Sequence, residues 1–142
     1  MLKYFLSHQH SLDLRDLGYR EISLGYYGKY HDYQEIKFYL GFCFKNNDPN
    51  GVLEAVDAPI YDQAFEFIRN KFKLTHEIAC GKGQYFFRIG QVESFPFYLG
   101  CNDRQYYESY EQAQKACLEK LIEFAKSNNN IDGNENSKQD NL

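Results

Sequence analysis

Tyr19–Phe44 reads YREISLGYYGKYHDYQEIKFYLGFCF, and the fold class turns on how it is read. Ile22, Leu24 and Tyr26 alternate with Ser23 and Gly25, and further on Ile36, Phe38, Leu40 and Phe42 alternate with Lys37, Tyr39 and Gly41. A period of two marks a strand, because successive strand side chains point to opposite faces. GKYHDY, residues 28–33, lies between the runs and can make a hairpin connection. The pattern predicts two antiparallel strands, with the apolar set of each on one face. Tyr30 and Tyr33, near the turn end, are expected at a rim. The same stretch would then be half core and half surface.

Outward from that hairpin, helices and strands alternate. SHQHSLDLRDLG, residues 7–18, reads as a short helix with Ser7 as its N-cap and Gly18 at a left-handed C-cap. Arg15 and Asp16 are expected to point toward water. KNNDPNG is a turn by composition, and VLEAV is a short extended piece. In DAPIYDQAFEFIRNKF, Asp57 or Ala58 is the expected cap and Pro59 falls in the first turn, where a missing N–H costs nothing. Ile60, Ala64, Phe67 and Ile68 make its apolar stripe, widened by Phe65 and Phe72. LTHEIACGKGQYFFRIG reads as a hairpin turning at CGKG, and ESFPFYLG as a further strand that Pro96 would place at an edge or a bulge. Ser109 opens an S-x-x-Q capping box for the last helix, expected to end near Lys126. The asparagine-rich stretch 127–142 reads as a disordered polar tail. The order predicts an α+β fold: an antiparallel sheet of about four to five strands with three helices packed mainly on one face. Residues 1–126 are expected to form one domain.

Composition narrows the function classes. The net charge is −4, which argues against a binder of nucleic-acid polymers, since these usually carry a basic face. A small anionic ligand held by a few local cations remains open. The 13 Tyr and 12 Phe, with no Trp, are more aromatic rings than a core alone would place, and each Tyr hydroxyl wants a partner or water. No apolar run approaches the ~20 residues of a membrane helix, and MLKYFL is too short for a signal peptide. A cytoplasmic protein is expected. Cys43, Cys80, Cys101 and Cys117 form no C-x-x-C pair and read as reduced, mostly buried thiols.

Residues with catalytic chemistry are present but poorly arranged. His8 and His10 would share a face on a strand, yet they fall in a helical turn, where positions two apart diverge. They are expected to be exposed, and no metal site is predicted. His31, Asp32 and Cys43 would need a thiolate within reach of the imidazole. His76 and Glu77 are strand neighbours on opposite faces. Glu108 and Glu111 suit the start of a helix, where acids favour the dipole. GKGQYFFRIG lacks the Walker spacing; it echoes the aromatic strand of an RNA-recognition module through Lys82, Gly83 and Phe86, but a plain hairpin accounts for it. NDRQYYESY places Arg104, Tyr106, Tyr107 and Tyr110 at a helix start, where free N–H groups, a guanidinium and aromatic faces could hold an anion with a ring. The competing reading has Tyr107 and Tyr110 stapling the helix to the sheet.

Three blocks, SHQHSLDLRDLGYRE, DAPIYDQAFEFIRNKFKL and SYEQAQKACLEKLIEF, together resemble a family of small phage and prophage proteins of Bacteroidota without assigned chemistry. That family has a Leu-x-x-Leu-Gly-[Phe/Tyr] helix end, an Ala-Pro-[Leu/Ile]-Tyr-x-x-Ala-Phe helix and a closing Tyr-x-x-Ala helix. Ala58, Pro59, Ile60, Tyr61, Ala64 and Phe65 match the middle motif, and Phe67 stands where a Trp is often found. The resemblance covers the helices and implies a fold; it carries over no catalytic residue and no cofactor. It also implies a phage-type role by binding: sequestration of a nucleotide-derived host defence signal, without turnover. Tyr26, Tyr30, His31, Arg88, Arg104, Tyr106 and Tyr107 are the expected ligand residues, rings to stack and arginines to neutralise phosphate. The alternative is a protein-interaction module that inhibits a host or phage protein, with the same tyrosines as anchors. A homodimer would be one way to cover an apolar sheet face.

Overall fold

Residues 2–30, 35–41, 52–93 and 105–135 are described by the structure, a computed structural model. The first helix, α1 (His8–Asp16), starts where Ser7 Oγ accepts the amide of His10 at 3.3 Å. It ends in a Schellman turn: Gly18 at φ 98° donates to Arg15 O and Tyr19 donates to Leu14 O, both at 2.9 Å. His10 is buried in this helix and His8 is half-buried, its ring edge-on to Tyr27 at 5.4 Å. The expectation of exposed histidines therefore fails, because this side of the first turn faces the sheet.

Strands β1 (Gly25–Tyr30), β2 (Lys37–Leu40) and β3 (Val52–Asp57) form an antiparallel sheet in the order β2-β1-β3, and α1 packs on β3. The hairpin pairing is as the sequence suggests; the facing is different. Gly25 lies opposite Leu40 and Tyr27 opposite Phe38, so the apolar set of β2 shares a face with Gly25 and Tyr27. Phe38 packs at 4.9 Å from the Phe5 ring and 5.4 Å from Tyr27, over the bare backbone of Gly25. Ile22 and Leu24 precede the strand and are exposed, while Ser23 between them is buried. Ile36 and Leu40 are exposed too. Phe38 keeps the face that the alternation gives it, but on β1 that face belongs to Gly25 and Tyr27 instead of Ile22, Leu24 and Tyr26, and Phe5 completes the aromatic cluster.

Helix α2 (Tyr61–Phe72) begins two residues beyond Pro59, with Ile60 as its cap: Ile60 O accepts from Ala64 N, and Gln63 Oε1 accepts from Ile60 N at 3.1 Å. Asp57 is not the cap, because it ends β3 opposite Tyr26. Ala64, Phe65 and Ile68 are buried, as the stripe predicts. β4 (Leu74–Gly81) and β5 (Gln84–Gln91) form a second antiparallel sheet, joined by Lys82 and Gly83 at φ 55° and 77°. Two consecutive positive φ values make a type I′ turn, whose twist matches that of the strands. The last helix, α3 (Tyr110–Glu135), packs on β4 and β5 and buries Ala113, Cys117, Leu118, Leu121, Ile122 and Ala125.

The chain is α+β, and among the described residues five strands are divided between two antiparallel sheets. It groups into two compact units, Met1–Ala64 and Phe65–Leu142, where the sequence reads one domain over 1–126. α3 continues past Lys126 to Glu135; Ser127 Oγ donates to Glu123 O at 3.0 Å, and a helix already nucleated adds one bond for each further residue. Cys117 is buried as expected, Cys80 is exposed, and Cys43 and Cys101 lie outside the described residues. The readings of KNNDPNG and, beyond Glu93, of ESFPFYLG also fall outside them. Among the described residues, no helix is long and apolar enough to cross a membrane.

Candidate functional site

In the second unit, β5 sorts its side chains onto two faces. Ile89 is buried on the face that α3 covers. Tyr85 and Phe87 share that face by alternation, and the Tyr85 ring meets Tyr110, the first residue of α3, at 6.1 Å. On the opposite face, Phe86 and Arg88 stand beside Ala79 and Glu77 of β4. A single antiparallel bridge ties Tyr107 to the edge of this sheet: Tyr107 and Tyr85 exchange backbone hydrogen bonds at 2.8 and 2.9 Å. That pairing fixes which tyrosine goes where. Tyr107 turns to the covered face and stacks on Phe87, with centroids 6.0 Å apart and planes at 26°. Tyr106 turns to the outer face and meets Phe86 at 6.0 Å.

The outer face therefore holds a row. The Arg88 guanidinium lies 5.3 Å from the Phe86 ring centroid, and Tyr106, 47 % exposed, flanks the same ring. Phe86 is half-buried. Arg88 is paired with Glu77 at 3.5 Å, both side chains being open to solvent. Such an exposed pair contributes about 0–1 kcal/mol, so an incoming anion displaces Glu77 at little cost. Chemically, the row offers a cation beside two aromatic surfaces.

In the first unit, Tyr26 and Tyr30 come together with Tyr39. The Tyr26 and Tyr30 hydroxyls are 2.6 Å apart; Tyr39 stacks on Tyr26 at 5.3 Å and meets Tyr30 edge-on at 5.2 Å. Gly28 lets the rings settle onto the backbone, since a Cβ there would come within 3.1 Å of the Tyr26 ring. Tyr26 is buried, and its ring faces are used by its neighbours. Tyr27 turns the other way, donates its hydroxyl to Leu6 O at 2.8 Å, and has its phenol pKa raised by burial. Burial also raises the Tyr19 phenol, and the Glu21 and Asp57 carboxylates add to the rise.

Of the residues read as ligand-binding, Arg88 and Tyr106 meet around one ring, and Tyr26 and Tyr30 meet around another. Tyr107 sits on the covered side of its sheet. His31 and Arg104 lie outside the described residues. Sequence reasoning missed Phe86 and Tyr39 as partners, although strict alternation of Tyr85 and Phe86 was the available signal. Among the described residues, no group of His, Cys, Asp and Glu is placed to hold a metal ion. No protein-family model, curated protein or solved structure matches the chain.

Proposed function

We propose that the protein is a non-enzymatic, phage-type binding protein acting in the host cytosol, holding a small ligand that joins a planar ring to an anionic group. A nucleotide-derived defence signal is the class that fits. The observation that carries this reading is the Phe86–Arg88–Tyr106 row, with its guanidinium 5.3 Å from one ring and a half-exposed second ring alongside. A base stacks against Tyr106 and Phe86, and a phosphate replaces Glu77 on Arg88.

The test is retention and recovery. The pure protein is incubated with cyclic di- and trinucleotides and NAD-derived signals, washed and denatured by heat; the released molecules are identified by mass spectrometry. One panel member returned intact is expected, with Arg88→Ala weakening its retention more than about tenfold while the thermal midpoint stays put. A converted product would make the protein an enzyme, and an empty release would end the nucleotide reading.

A second reading, a module that inhibits a host or phage protein, is favoured by one observation. Ile22, Leu24, Ile36 and Leu40 are exposed in the first unit, the last two on or beside the edge strand β2. Edge strands with exposed apolar side chains invite pairing. A stoichiometric protein partner from host lysate, lost on Leu40→Lys, would support this reading over the first.

A further inference from the structure

The first unit contains a cavity of about 230 Å³ lined by Ser11, Arg15, Tyr19, Arg20, Val56 and Asp57. Ser11 and Arg15 stand one helical turn apart on α1 and so share a face. The Schellman turn then brings Tyr19 and Arg20 round, and the end of β3 supplies Val56 and Asp57. The polar groups here are only partly used. Ser11 Oγ is fully buried and has no hydrogen-bond partner among the described residues. A buried hydroxyl left unpaired is costly, and native interiors seldom keep one without a ligand or water to fill the place.

Arg20 is held in position through one nitrogen: Nη1 donates to Arg15 O and Tyr19 O, both at 2.7 Å. Its Nε and Nη2 donors make no hydrogen bond among the described residues. Arg15 uses Nε and Nη2 on Asp16, leaving Nη1. The Asp57 carboxylate makes no ion pair or side-chain hydrogen bond among the described residues. The cavity thus offers a fork of donors and, separately, a carboxylate. The lining carries two guanidinium groups and one carboxylate, and the Arg15 charge is already answered by Asp16, which stands outside the lining.

We infer that this cavity is a second binding site, for a small zwitterion of the free amino-acid class, with its carboxylate on Arg20 and Arg15 and its ammonium on Asp57. Charge decides the class. A polyphosphate would face the Asp57 carboxylate, and a neutral ligand would leave Arg20 and Asp57 unanswered. Size agrees, because drug-sized ligands occupy roughly 300–1,000 Å³ and this cavity is smaller. Val56 and the Tyr19 ring, both buried, give a short apolar side chain a wall. The unpaired Ser11 hydroxyl of the lining would donate to the carboxylate.

Calorimetric titration of the full chain with each free amino acid tests this, alongside the N-acetyl and amide derivatives of any that bind, and inorganic phosphate. Saturable binding of at least one aliphatic amino acid is expected, weakened more than about tenfold by acetylation or by amidation. Arg20→Gln should remove the preference for acid over amide, and Asp57→Asn the preference for free over acetylated amine. Ser11→Ala guards against misfolding: deleting an unpaired hydroxyl from a helix should raise the thermal midpoint of the free protein while weakening the amino acid. The inference is overturned by no saturable heat up to about 10 mM, by phosphate binding as tightly as the amino acid, or by unchanged affinity in folded Ser11→Ala. These ligands are absent from the nucleotide panel, so either site can fail without the other.

Discussion

Gly25 shows how one missing side chain sets the facing of a sheet. A Cβ on it would lie 2.6 Å from Phe38 Cζ and 3.0 Å from the Phe5 ring. The Phe38 ring cannot simply swing aside, since Phe5 and Tyr27 bracket it. Gly25→Ala should therefore cost about 1–3 kcal/mol, the usual range for overpacking, measured as a lower midpoint in urea. The cause is checked by repeating the change in a Phe38→Ala background. With the ring gone, alanine should be neutral or stabilising, because glycine in a strand carries an entropic cost of roughly 0.5–1 kcal/mol. An equal loss in both backgrounds would mean that the ring is not what Gly25 accommodates.

At the scale of elements, features encoded within three or four residues were legible, and features set by distant partners were not. Ser7, Gly18 and Ser109 were readable because a cap depends on its own helix turn. Ser109 Oγ accepts from Gln112 N at 3.2 Å, and Gln112 Oε1 reaches back to Glu108 N at 3.1 Å, one residue earlier than the capping box expects. Ser109→Ala should cost about 1 kcal/mol with an unchanged urea m-value, and Ser109→Asp should recover most of it. No loss would mean that the Tyr85–Tyr107 pairing alone holds the start of α3. The strand faces were illegible for the opposite reason. Ile22 and Leu24 have the right period, but the covered face went to Phe5, Tyr27 and Phe38, which meet only across the fold. The site divides the same way. Arg88 and Tyr106 stood out by residue type, whereas the separation of Tyr106 from its neighbour Tyr107 depends on the single bridge between Tyr107 and Tyr85.

For the whole molecule, the boundary between the units falls inside a helix. Residues 61–64 of α2 belong to the first unit and the remainder to the second. α2 has 12 residues, and isolated helices shorter than about 12–15 residues are marginal in water. Neither part of α2 is expected to persist once the other has unfolded. Unfolding the first unit also removes Ile60, whose carbonyl and amide hold the N-terminal turn. Unfolding the second removes most of the helix itself. The two units should therefore unfold in one transition, although each has its own sheet. Native-state hydrogen exchange resolved by residue can decide this. The slowest amides of β1, around Tyr27, and of β5, around Ile89, should report the same opening free energy and the same dependence on denaturant. A difference above about 1 kcal/mol, larger than the few tenths within which independent free energies are normally compared, would mean that one unit opens while the other stays folded, and that α2 survives with only one of its ends in place.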